Sequence, residues 1–504
     1  MRITGILPGM AVLGMAVLLG ALVADAFPFP IPVELPPVAL FAAVLILAAL
    51  PLLVGRWMLT LGIFLVWLIV EDLVRKLAGN NLAVYFVKDL IYFVLLFALF
   101  TSASVQRAWR RATGQTRLFL YALVCWAVIM AVPTGLDDWR LPLVGLRLDF
   151  LYVPLVVAGY LLVQPISKLR PRLVALSVLG GAASAVGIAQ AILGPGFLAP
   201  PEPTPGLINI DLVRGLAGSA PVLRPTGTFV DPGRFASVAV LALAVGLAAL
   251  LIVKGSRRVV VLASVLAAAG AVWVSGGRTS FVVGACLVAL GTIASAFGER
   301  HPALGRAGMV AALGLGAVFL ISALVPDLFT SRLDWYRQTL DPRSSDSEWS
   351  FRWDSYGGAT QRGIEIGGLI GQGTGSESLG KQYLYSDSEG APVGSYQVEG
   401  GYASIAVEWG AVGLALWTLW TLAWLYRQWR CIRAAPSGQL RAFGLVLFGW
   451  MIFFLVVGFF GGLQGYQNYI PNAYFWLLSG VIFGLPQLAA SSEEKLPQGA
   501  LNHG

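Results

Sequence analysis

Three arginines stand where a forked, permanently charged side chain has little room to retreat. Arg224 opens the segment Arg224-Pro225-Thr226-Gly227-Thr228-Phe229-Val230-Asp231-Pro232-Gly233-Arg234-Phe235, which leads straight into an apolar run. Arg278 closes the tight break Ser275-Gly276-Gly277-Arg278-Thr279-Ser280 between two apolar runs, and Arg352 sits in Phe351-Arg352-Trp353. Guanidinium groups converging from such places make an anion clamp, because the fork binds phosphate oxygens in pairs and keeps its charge. The competing reading is an interfacial arginine on lipid headgroups, an alternative for Arg278 and the favoured assignment for Arg234.

Carboxylates supply the other half of the chemistry. Glu399 lies just before an apolar run, in Val398-Glu399-Gly400-Gly401-Tyr402, and Glu408 lies about two turns inside it. A carboxylate that loses hydration at a membrane edge becomes a better general base, which puts Glu399 forward as functional. Glu408, deeper in the apolar stretch, is costly unless paired, and reads first as a structural anchor. Lys88 and Asp89 are neighbours on one apolar run, where adjacent side chains diverge by about 100°, so they are expected to pair with other helices. A transport role is the alternative. The run Gly367-Gly368-Leu369-Ile370-Gly371-Gln372-Gly373-Thr374-Gly375 either brings backbone amides close to phosphate or sugar oxygens or is simply a turn.

The elements that must carry these residues are membrane helices. Of 504 residues, 57% are hydrophobic and 12% charged, which excludes a soluble globular enzyme. Apolar runs of about 20 residues, each able to cross a hydrocarbon core, recur along the chain. Fourteen spans are expected near 3–24, 36–54, 57–70, 82–100, 117–133, 149–164, 173–193, 235–253, 259–275, 279–297, 307–326, 402–426, 440–462 and 470–489; the third and sixth are short enough to be tilted, re-entrant or wrongly divided. The fold class is therefore all-α: a polytopic helical membrane protein with about 12–14 transmembrane helices. Cys125, Cys286 and Cys431 build no disulfide framework or thiolate site, and His301 and His503 are too few and too far apart for a metal cluster.

Alternating the loops sorts the charge. Arg2, Arg56, Arg107, Arg110, Arg111, Arg117, Lys168, Arg170, Arg172, Lys254, Arg257, Arg258, Arg300, Arg306, Arg427, Arg430, Arg433, Arg441 and Lys495 fall on one side, more than half of the 34 lysines and arginines, with only Glu299, Glu493 and Glu494 as acids. The positive-inside rule makes that side cytoplasmic and puts both termini there. The net charge of +8 is then topology rather than nucleic-acid binding. Arg2, the first apolar stretch and Ala24-Asp25-Ala26 also allow a cleavable signal peptide, although that stretch exceeds the usual signal core.

The expected organisation is an N-terminal transmembrane bundle (1–193), an outer loop (194–234), helices with the tight outer turn at Arg278 (235–326), a large outer loop (327–401), C-terminal helices (402–489) and a cytoplasmic tail (490–504). The large loop is rich in aromatic residues and is expected to fold as a small helical cap, with a short interfacial helix over Asp327 to Trp335 and helical spacing between Trp349 and Gly363.

At this level of detail the chain resembles the O-antigen ligase and O-antigen polymerase superfamily, bacterial membrane glycosyltransferases acting on polyprenyl-diphosphate-linked glycans. The resemblance rests on Arg224-x-x-Gly227-Thr228-Phe229-x-x-Pro232, Ser275-Gly276-Gly277-Arg278, Arg352-Trp353 with Gly371-x-Gly373-x-Gly375, and Glu399-Gly400-x-Tyr402 followed by Glu408-x-Gly410-x-x-Gly413. It implies that Arg278 and Arg352, helped by Arg224, bind the diphosphate of the donor, and that Glu399 stands where ligases carry a catalytic histidine. Polymerases of the superfamily are described with arginine-x10-glycine segments, a spacing met by Arg352 to Gly363 and Arg362 to Gly373. Trp353 and Tyr402 would stack on glycan rings. The implied activity is polymerisation of lipid-linked repeats into O-antigen or exopolysaccharide at the periplasmic face of the inner membrane, inverting and metal-independent, with no cofactor. The implied partners are the lipid-linked donor and acceptor, a chain-length regulator and a flippase. A ligase transferring the glycan to lipid A core remains the nearest alternative, and a lipid-linked oligosaccharide flippase or transporter the more distant one. A peptidoglycan polymerase of the shape, elongation and division type is a further helical class, without a motif here.

Overall fold

The computed structural model describes residues 56–77, 82–100, 105–163, 165–194, 196–198, 213–214, 222–298, 326–341, 343, 348–381 and 397–488. Among them, nine helices are long and apolar enough to cross a membrane. In chain order the helices are α1 (Trp57–Leu77), α2 (Leu82–Phe100), α3 (Val105–Asp137), α4 (Arg140–Leu162), α5 (Ile166–Leu193), α6 (Pro232–Ile252), α7 (Arg257–Val274), α8 (Arg278–Gly298), α9 (Pro326–Leu340), α10 (Glu348–Gly367), α11 (Gly401–Arg433), α12 (Gly438–Ile452) and α13 (Tyr469–Gly484). A two-residue antiparallel ladder, β1 (Val213–Arg214) with β2 (Val222–Leu223), stands in the outer loop. This is the all-α, multi-pass architecture that the apolar runs require, since only helices satisfy their own backbone inside hydrocarbon without closing a barrel.

Boundaries move where charge is buried. The third expected span, 57–70, continues to Leu77, so Glu71, Asp72, Arg75 and Lys76 lie inside a helix and are buried. The sixth begins at Arg140 rather than 149 and takes in Arg147 and Asp149. Neither is a half-span; each looked short because paired charges interrupt its apolar pattern. The spans expected at 3–24 and 36–54, and nearly all of 307–326, lie outside the described residues, as does the tail at 490–504.

Loops assigned to one side do meet. Arg427 Nε donates to the Ala112 carbonyl and its Nη2 to that of Arg111, both at 2.6 Å, tying two basic segments together. At the other end Trp335 of the large loop donates its indole N–H to the Gly276 carbonyl at 3.1 Å.

Close packing uses glycine as a spacer. A Cβ on Gly159 of α4 would fall 1.8 Å from the Leu477 carbonyl oxygen, and one on Gly480 of α13 2.0 Å from that of Val156, so these two helices touch backbone to backbone. The same spacing, Gly363 and Gly367 against Ala403 and Ala406, seats α10 of the expected cap on the outer part of α11.

Helix α11 is interrupted at Gly410 (φ 66°, ψ −171°), a region open only to glycine. The glycine-rich run plugs the break: Gln372 and Gly373 amides donate to the Val407 and Glu408 carbonyls at 2.8 and 2.9 Å, and Ala411 and Val412 amides donate to the Gly368 and Leu369 carbonyls at 3.0 and 3.2 Å. Gly410→Ala should therefore cost about 1–3 kcal/mol from the backbone alone, and more because its Cβ would meet the Leu369 oxygen at 2.3 Å. Thermal unfolding of the purified protein in detergent checks this; a variant as stable as the parent would show that the break is dispensable.

Candidate functional site

The outer turn at 275–277 is the scaffold of the site. Ser275 Oγ accepts the Gly277 amide at 3.2 Å and donates to the Val272 carbonyl at 2.8 Å, while Gly276 takes a positive φ of 66°. Helix α9 docks on this turn through Trp335 and through Tyr336, whose hydroxyl donates to the Trp273 carbonyl at 2.9 Å and whose ring stacks on Phe281 at 4.4 Å. Burial pushes the Tyr336 phenol up to about 12, so it stays neutral.

This docking buries Arg332 completely. Among the described residues none of its Nε, Nη1 and Nη2 atoms has a hydrogen-bond partner. Its Nη1 lies 2.5 Å from where a Cβ on Gly276 would stand, and the Arg224 Cγ lies 3.5 Å from that point. Arg278, at the start of α8, places its Cζ 5.8 Å from the Trp335 ring centroid. Burial pushes Arg332 down to about 10, and the positive charge of Arg224 acts in the same direction against the pull of Tyr336. Like charges gathered in a dry corner with unmet donors are the electrostatic signature of an anion site.

Arg224 thus lies beside Arg332, and Arg278 starts α8 just after the turn on which Arg332 rests; Arg332 is a residue that the sequence reading missed. A legible signal existed: Arg332, Trp335 and Tyr336 sit three and four positions apart on a helix that was itself expected. Arg352 and Trp353 fall on α10, but their side chains lie outside the described residues.

Other expected residues are placed differently. Gly373 is buried and its amide is bonded to Glu408, so it is part of the helix break rather than a cradle for substrate oxygens. Tyr402 gives its hydroxyl to the Leu455 carbonyl at 3.1 Å and packs its ring against Phe459 and Phe460, contacts that tie the start of α11 to the segment after α12. Arg362 is exposed, while the Gly363–Gly367 side of the same helix meets α11. Glu399 is exposed on the segment before α11.

Glu408 is the anchor it was expected to be. It is fully buried, and its Oε1 accepts the Glu377 amide at 2.9 Å, holding the glycine-rich loop to α11. Burial pushes the Glu377 carboxyl above its usual range, against the opposing Gln397 amide. Gln467 donates to Asp149 Oδ1 at 2.9 Å and accepts the Leu379 amide at 2.7 Å, so α4 and the approach to α13 share in the anchorage.

Arg234, expected on lipid headgroups, is instead buried and ion-paired to Asp72 on α1. The segment before it is tightly built: Asp231 caps α6 by accepting the Arg234 amide at 2.7 Å, Gln190 Oε1 accepts the Thr226 and Gly227 amides at 2.7 Å each, and Lys76 donates to Thr226 Oγ1 and the Gly227 carbonyl at 2.8 Å each. Deeper, Lys88 pairs with Glu71 at 2.9 Å and Arg147 with Asp89 at 2.5 Å. The adjacent Lys88 and Asp89 therefore do reach other helices.

No protein-family model matches this chain, and no curated protein matches its sequence.

Removing one member of a buried pair leaves a charge without a partner, a loss of about 3–5 kcal/mol. Lys88→Met should show that loss in thermal unfolding, and Glu71→Gln together with Lys88→Met should recover most of it. Additive losses in the double variant would mean that the two side chains are not energetically coupled.

Proposed function

We propose that this protein is a membrane glycosyltransferase that polymerises polyprenyl-diphosphate-linked oligosaccharides at the outer face of the bacterial inner membrane. The observation that carries the reading is the unmet guanidinium of Arg332, buried beside Arg224 and close to the turn that bears Arg278. A lipid diphosphate presented at a membrane surface is an anion of suitable charge and position for such a corner.

On this reading the arginines hold the donor diphosphate and take up the negative charge that grows on it as its bond to the anomeric carbon breaks. The electron pair of that bond leaves with the diphosphate. Glu399, exposed on the outer segment before α11, accepts the proton of the acceptor hydroxyl as that oxygen forms the new glycosidic bond. Attack opposite the leaving group inverts the anomeric carbon, and the arginines serve in place of a divalent metal. Arg332 is fully buried under Trp335 and Tyr336, where a charge-assisted hydrogen bond is worth more than in bulk solvent.

The test uses the purified protein, reconstituted with its lipid-linked repeat unit as the only glycan. A ladder of products without added acceptor is expected. Arg332→Gln should lower turnover about 10²–10³-fold, as loss of a transition-state donor does, and Glu399→Gln about 10²–10⁴-fold, as loss of a general base does. An unchanged ladder from Glu399→Gln discards the base. A single transfer that requires lipid A core makes the protein a ligase, and movement of the glycan lipid across vesicles with no transfer makes it a transporter.

A further inference from the structure

Each acid among Glu71, Asp72 and Asp89, in the buried network where α1, α2, α4 and α6 meet, already has its own cation. Arg234 takes Asp72, Lys88 takes Glu71, and Arg147 takes Asp89. Arg75 and Lys76 are left over, both on the last turn of α1 and both buried. Lys76 is solvated by neutral oxygens: the Thr226 hydroxyl, the Gly227 carbonyl and, at 3.0 Å, the Leu198 carbonyl. Arg75 has no such relief. It is fully buried, its Cζ lies 5.9 Å from the Tyr85 ring centroid, and none of its Nε, Nη1 and Nη2 atoms has a hydrogen-bond partner among the described residues.

A guanidinium does not escape burial by losing its proton. Glu71 Oε2 and Asp72 Oδ1 also lack partners, and they stand four and three positions before Arg75, within its swing. Closing that contact would satisfy hydrogen bonds, yet it would leave the network with more positive than negative charge. Among the described residues no further carboxylate is paired with Arg75 or Lys76.

We propose that Arg75, with Lys76 beside it, forms a second anion-binding site, separate from the Arg332 corner, for the phosphate or diphosphate head of a lipid. The two sites flank one short stretch of chain: Arg224 reaches the Arg332 corner, and Thr226 and Gly227 hold Lys76. The assignment to a substrate rests on the polymerase reading, in which two lipid-linked diphosphates are bound at once. The Arg75 site then seats the second of them, a few residues along the chain from the first.

Farnesyl diphosphate, which carries no glycan, probes this in the full-length protein in detergent. Native mass spectrometry should show two probes bound per chain. Arg75→Met and Arg332→Met should each leave one, and the double variant none. Without probe, Arg75→Met should melt no lower than the parent, because it removes an unpaired buried cation, while the rise in Tm on adding probe shrinks. Displacement of one probe by phosphatidylglycerol, in the parent but not in Arg75→Met, would keep the site and make its occupant a phospholipid headgroup; displacement by inorganic phosphate would make it a free anion. Two probes still bound by Arg75→Met would overturn the site, as would a fall in its Tm of equal size with and without probe, the mark of a merely structural arginine. One probe in the parent, lost in Arg332→Met and kept in Arg75→Met, would overturn the second site and spare the first. Two bound probes with no product ladder would defeat the polymerase reading and leave the second site standing.

Discussion

A charge or a backbone polar group carried into hydrocarbon must find a partner inside the protein, and the cost of failing is several kcal/mol per group. That constraint explains why the chain is helical and why its deviations from helix are all accompanied by a substitute. Where α11 breaks at Gly410, the loop from 368 to 373 provides the missing donors and acceptors in register. Where α1 carries Glu71 and Asp72 below the surface, α2 and α6 bring Lys88 and Arg234 to meet them. Within the glycine-rich run, Gly367 and Gly371 allow close approach to α11, Gly373 to α3 and Gly375 to α4, so the run packs three helices together.

Against these pairings two arginines stand out. Arg332 and Arg75 are both fully buried and both unbonded at every nitrogen among the described residues. The segment that begins at Arg224 reaches Arg332 at one end and holds Lys76, the neighbour of Arg75, at the other, and each arginine is packed beside an aromatic residue, Tyr336 or Tyr85. Buried carboxylates such as Glu71 and Asp72 keep at least one bonded oxygen, whereas these two guanidiniums have no bonded nitrogen among the described residues.

The carboxylates divide by the same logic. Glu408 is spent on holding the loop to the broken helix, and Asp149 on the junction before α13. Glu399 instead stays exposed on the segment before α11. Burial rather than residue type separates these carboxylates: Glu408 and Asp149 lie inside and Glu399 outside.

Apolar run length was enough to read from the sequence the helical class and the tight turn at Arg278, and helical spacing the helices α9 and α10. These are local properties: about 20 apolar residues cross a bilayer whatever lies elsewhere in the chain. The pairing of Arg234 with Asp72 was not legible, because the partners are 162 positions apart and either could have faced lipid headgroups or solvent. Nor was the fate of Tyr402 and Gly373, whose polar groups are consumed by carbonyls on other helices or across the loop. Which arginines are satisfied and which are not is a property of packing, since burial and partnership exist only once the helices have met; the sequence could supply the charges, and only the tertiary structure could leave Arg332 and Arg75 without an answer.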